Sequence, residues 1–142
     1  RRTELGRSHP FARMLDSFKY EYQKGTLEVV LQLQAAYVAV GLLFNVVSMF
    51  AQLTPRSPLF GVFGMAIHGL IVAIGFEGDK LMYYGSVMGL FIPNIMHYGV
   101  QVHFTNRSKS DLAGYASAMV WVVAVAINTV GVCLGIAGVW VA

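Results

Sequence analysis

The chain has 142 residues, 56% of them hydrophobic and only 12% charged. A soluble domain is about one quarter charged, so this composition excludes disordered tails, collagen, coiled coils and ordinary cytosolic enzymes, and it puts the chain in a membrane. The formal charge of +3 hides an asymmetry, because six of the ten basic residues (Arg1, Arg2, Arg7, Arg13, Lys19 and Lys24) precede position 25.

Residues 1–26 read as a basic tail. After Pro10, the residues Phe11, Met14, Leu15, Phe18 and Tyr22 recur at spacings of three and four, while Arg13, Asp16, Lys19 and Glu21 take other faces. This pattern predicts a short amphipathic helix lying in the headgroup region or packed on a soluble partner subunit. The acid-poor start, Arg1-Arg2-Thr3 through Arg7-Ser8-His9, fits what remains beside a cleaved organelle-targeting sequence.

Residues 27–142 read as a four-helix transmembrane domain. A helix needs about 20 apolar residues to cross a hydrocarbon layer about 30 Å thick. Four stretches qualify: Leu27 to Leu53, Leu59 to Phe76, Leu81 to Phe104 and Leu112 to Val141. They do not alternate with polar residues as barrel strands do. Helix breakers in Thr54-Pro55-Arg56-Ser57-Pro58 and Glu77-Gly78-Asp79-Lys80 predict tight turns, so successive spans are expected to be antiparallel neighbours. Seven basic residues then fall on the side of the N-terminus and three (Arg56, Arg107 and Lys109) on the other. The positive-inside rule puts both termini on the cytoplasmic or matrix side, and with the tail's hint of an organelle-targeting sequence the expected location is a mitochondrial inner membrane with both termini in the matrix. The expected fold class is therefore all-α: an integral membrane protein with four antiparallel transmembrane helices and an N-terminal amphipathic interfacial helix.

No carboxylate, lysine or arginine occupies a span centre, and Glu28 sits at the first turn of the first span. Intramembrane charges mark proton relays, pumps and voltage sensors, so those classes are disfavoured. The internal polar residues are amides and hydroxyls: Gln32, Gln34, Asn45, Ser48 and Gln52, then Asn94, then Asn128 and Thr129. Such groups bond neighbouring helices. Gln34, Asn45 and Gln52 are not expected on one continuous helical stripe, which weakens the idea of a water-lined channel along that helix. Gly85 and Gly89, and Gly131 and Gly135, form small-xxx-small pairs, and Gly61, Gly64 and Gly75 add further positions of close approach. Pro93, beside Asn94, predicts a kink in the third span.

Three histidines fall in or near spans: His68, His97 and His103. Neutral imidazole is a haem ligand. By helix rise, however, His68 stands about 14 Å and His97 about 24 Å from the turn at Glu77 to Lys80, and His97 and His103 lie on different faces. His68, with Gly64 and Gly69 beside it, is the candidate for a single-histidine contribution to a cofactor shared with another chain.

His68-Gly69, followed by Asp79 with Tyr83 and Tyr84 nearby, resembles the second helix of the small membrane-anchor subunit of succinate dehydrogenase. That resemblance implies that His68 ligates haem b and that Asp79 lies near a quinone site. Lys80 replaces the family's tyrosine, and the anchor has three spans where four are expected here. His68-Gly69-Leu70 with Val72, Ile74 and Gly75 is also similar to a short piece of cytochrome oxidase subunit three.

The functional expectation is a structural, accessory membrane subunit of a multi-subunit energy-converting complex, of the mitochondrial respiratory chain or of ATP synthase. Such a subunit has no catalytic activity of its own, and its partners are other membrane subunits and phospholipid rather than nucleic acid. The alternative is a succinate dehydrogenase-type anchor contributing to haem b and quinone binding at His68 and Asp79. A small carrier or channel is the weaker third reading.

Overall fold

The computed structural model describes residues 10–55, 57–109 and 114–142, and every element among them is helical. Helix α1 (Pro10–Ala51) is followed by α2 (Pro58–Glu77). A third helical segment, residues 80–109, is built in sequence from α3 (Lys80–Ser86), a π-helical turn (Val87–Phe91), α4 (Ile92–Asn94), a second π-helical stretch (Ile95–Gln101) and α5 (Val102–Lys109). Helix α6 (Ala118–Val141) ends the chain. Three of these helices, α1, α2 and α6, are long and apolar enough to cross a membrane. The protein therefore has the character of an integral membrane protein.

The first departure from the sequence reading is the continuity of α1. Residues 10–26 are not a separate element, because the helix passes Gly25 without a break. A lone glycine weakens a helix by only about 1 kcal/mol, and no proline follows to stop it. At 42 residues, α1 is about 63 Å long, and its buried stripe begins only at Leu27. From there Leu27, Leu31, Gln34, Gly41 and Ser48 are buried, with Val38 and Asn45 half-buried between them. That spacing alternates four and three, a repeat of 3.5 residues. Gln34 and Asn45 thus share one inward stripe, contrary to the expectation from sequence, because eleven residues are close to three full turns of a helix. Gln52 leaves the stripe because α1 has already ended, at a backbone φ of 48°.

Contacts between α1 and α2 run in opposite senses: Leu31 meets Gly75, Val38 faces Gly69, Met65 meets Gly41 and Asn45 meets Gly61. Helix α2 starts with Pro58 in its first turn, and it ends at Gly78, whose φ of 86° supplies the left-handed cap, with its N–H bonded to the Gly75 carbonyl. The expected tight turn follows. Asp79 caps α3 by accepting from the Met82 N–H at 3.0 Å.

The third segment answers its proline with two wide turns. Pro93 lies in α4, between the π stretches. Its ring would press on the carbonyl four residues back, and π turns give that carbonyl room. The segment is consequently broken into α pieces of 7, 3 and 8 residues. At its far end His103 is buried against Tyr115, and Trp121 donates to the His103 carbonyl at 3.2 Å. The span expected from Leu112 begins as a helix only at Ala118, where Ser117 caps it by accepting from Val120.

Candidate functional site

Two polar assemblies lie inside the bundle. In the half near the Glu77 to Lys80 turn, Gln34 bridges three helices. Its Nε2 donates to the Leu134 carbonyl at 2.9 Å, and its Oε1 accepts from the Tyr83 hydroxyl at 2.9 Å. Both side chains are fully buried. Gly138 and Gly75 make the space, since a Cβ at Gly138 would strike the Tyr83 hydroxyl and Gln34, and one at Gly75 would strike Leu31 and Tyr83. Leu31, Val72 and Val87 complete a tightly packed, apolar surround.

The other half differs. Asn45 on α1, Asn94 on the third segment and Asn128 on α6 all face one cleft, together with His68. Asn45 and Asn128 each donate Nδ2 to a carbonyl of their own helix, at Gly41 and Ala124, both at 2.7 Å. Their amides press on glycines of the next helix: Asn45 on Gly61 and Asn128 on Gly99, while Asn94 Oδ1 stands near Gly64. The expectation that amides act as cross-helix glue therefore holds for Gln34 through hydrogen bonds. For Asn45 and Asn128 the described bond is local, and the cross-helix contact is steric.

His68 sits at the deep end of this cleft. It is 1% exposed, and neither ring nitrogen has a hydrogen-bond partner among the described residues. Its ring centroid lies 4.5 Å from Phe91 and 6.4 Å from Tyr37. The cleft has a volume of about 60 Å³, whereas pockets for organic cofactors measure roughly 300–1,000 Å³. The cleft beside His68 is smaller than that range. Asp79 is exposed and engaged as the α3 cap, and the cleft is not lined by it. The structure therefore does not bring the two candidate residues into one site.

His97 is exposed and bonds Gln101 on its own helix at 2.9 Å, while His103 is buried. The two are on different faces, as their spacing implies. Among the described residues, no three His, Cys, Asp or Glu side chains converge as a metal site. Cys133 is exposed.

The glycine pairs divide. Gly131 packs on the Tyr37 ring and Gly135 on Phe91 and Ile92, whereas a Cβ at Gly85 or Gly89 would meet nothing within 4 Å among the described residues. The convergence of Asn45, Asn94, Asn128 and His68 went unrecognised in the sequence. The eleven-residue spacing from Gln34, close to three helical turns, puts Asn45 on the same face, but no local signal pairs it with residues 49 and 83 positions away. No known protein family matches this chain, and neither a curated protein nor a solved structure is similar to it.

Proposed function

We propose that this chain is an accessory, structural subunit of a membrane-embedded energy-converting assembly, of the respiratory chain or ATP synthase, with no catalytic activity of its own. In this reading the third segment crosses the bilayer beside α1, α2 and α6, giving four antiparallel spans. The opposed order of contacts between α1 and α2 supports that arrangement. So does the bond from Lys80 Nζ to the Ala142 carbonyl at 3.2 Å, which holds the second turn beside the end of α6. The basic residues of the tail and Lys80 then share the matrix side of a mitochondrial inner membrane.

One observation carries the proposal. Residues 10–26 extend α1 beyond its buried stripe, and Phe11, Met14, Leu15, Phe18 and Tyr22 form an exposed ridge on one face of that extension. A monomer seldom leaves so large an apolar face uncovered in water, and a straight continuation of a span does not lie flat on the lipid. The ridge suits a partner subunit. Gly85 and Gly89 offer a second bare strip of close approach, to another membrane subunit or to phospholipid.

The test is purification in mild detergent followed by mass spectrometry. Stoichiometric co-purification of membrane subunits, reduced by charge substitutions at Phe11 and Phe18, is expected. Recovery of a stable monomer with no partner sinks the proposal. The bare imidazole of His68 favours the second reading, a succinate dehydrogenase-type anchor with quinone near Asp79, and the small cleft weighs against it. A b-type absorption spectrum abolished by His68→Ala would reinstate that reading.

A further inference from the structure

We infer that the cleft between the helices is a hydrated vestibule, and that ordered water enters it from the Thr54 to Ser57 side and ends at His68. A neutral imidazole carries one donor and one acceptor. With both nitrogens buried and unpartnered among the described residues, they call for a small polar ligand, because an unpaired polar group in a bundle core is costly. Phe91, the ring packed on His68, brings no lone pair or N–H to it.

Volume selects the ligand. A water needs about 10–15 Å³ of such space, so a cleft of about 60 Å³ admits a few waters and excludes an organic cofactor. The walls supply the partners. Because the Nδ2 groups of Asn45 and Asn128 donate to their own helices, their Oδ1 atoms remain as acceptors beside Asn94 and His68. Bound water makes two to four hydrogen bonds, which this set provides.

The cleft's lining runs along the N-terminal half of α2. Ser57 and Pro58 are at one end of its lining and Gly41 and His68 at the other. Pro58 to His68 is about 15 Å of helix, half the length of α2. Beyond His68 the helices close on Leu31, Val72, Tyr83 and Val87, all buried. The geometry is that of a blind vestibule reaching mid-helix, and not of a pore. Only its sidedness rests on the arrangement of spans proposed above.

Hydroxyl-radical footprinting of the unmodified protein in its native membrane tests hydration directly, because radicals formed from bound water oxidise the residues around it. Met65, which lines the cleft and is buried, is expected to be oxidised about tenfold faster than Tyr83 in the dry half. Equal, slow oxidation of both would mean a dry cleft and overturn the inference.

Sidedness is read in a Cys133→Ala background by adding silver ion to one face of sealed vesicles, then denaturing and counting the thiols still open to maleimide. Asn94→Cys is expected to be blocked from the face that blocks Ser57→Cys. Blocking from the face of Glu77→Cys, or from neither, overturns the vestibule. If Ser57→Cys and Glu77→Cys are blocked from the same face, the span arrangement is what fails, and the footprinting still decides hydration.

Discussion

The two halves of the bundle use glycine in different ways. Near the Glu77 to Lys80 turn, Gly75 and Gly138 admit the aromatic ring of Tyr83, and the one polar network, Gln34 with Tyr83 and the Leu134 carbonyl, satisfies itself across three helices. Near the Thr54 to Ser57 turn, Gly61 and Gly99 admit short amides that are bonded to their own backbones. A rigid ring locked by a cross-helix hydrogen bond fills the space between its helices, whereas a short amide turned back on its own helix leaves a cleft. The difference teaches that a buried polar residue adheres to a neighbour only when its side chain is long enough to pass its own helix.

Four sets of substitutions break or sharpen that contrast. The largest effect is expected from Gly138→Ala, whose methyl collides with the Tyr83 hydroxyl and Gln34. Overpacking and the lost bond together should cost about 3 kcal/mol, measured as unfolding free energy in mixed micelles. A loss under about 0.5 kcal/mol would show that the dry half is not tightly packed.

Gly61→Ala meets only the movable end of Asn45, so about 2 kcal/mol is expected. Asn45→Ala in the same chain should restore most of it. If the double variant is no more stable than the single one, the Asn45–Gly61 contact is not the cause.

For the network, Gln34→Leu and Tyr83→Phe should each cost about 1 kcal/mol. The double variant should lose less than the sum, since removing both partners leaves no orphaned group. Strict additivity would mean that the two side chains do not bond.

The smallest effects are expected at glycines with room. Gly64 has Asn94 Oδ1 at 3.6 Å from a Cβ, an ordinary contact, and Gly85 has nothing within 4 Å. Alanine at either should change the stability of the isolated chain by no more than about 0.5 kcal/mol. Gly85→Leu should nonetheless reduce co-purification with partner subunits, if that strip is a contact face. Unchanged co-purification removes the strip from the interface.

Much of this was legible from residue types. The Gly78 cap, the Asp79 to Lys80 turn and the starting position of α2 at Pro58 follow from local backbone chemistry, and they lie where the turn residues put them. Gln34 was readable as a buried amide in need of partners. Other features were not. The tail and first span were expected to separate, yet no breaker stronger than Gly25 stands between them. Gly85–Gly89 and Gly131–Gly135 look alike as motifs, and only the second pair meets a neighbour, because a motif records space on one helix and not what enters it. His68 and Asp79 resemble an anchor helix in their spacing, but that spacing runs through the end of α2 and around a turn, which carries Asp79 to the surface.

Composition and the length of the apolar runs settled by themselves that the chain is helical and membrane-suited: hydrocarbon requires every backbone group to bond within its own segment, a demand that depends on no distant residue. Which polar side chains meet was decided only in three dimensions. Asn45, Asn94, Asn128 and His68 belong to four different helical segments, and their convergence depends on helix rotation and on the wide turns around Pro93. Those are set by the sum of packing contacts between segments, which no local stretch of sequence contains.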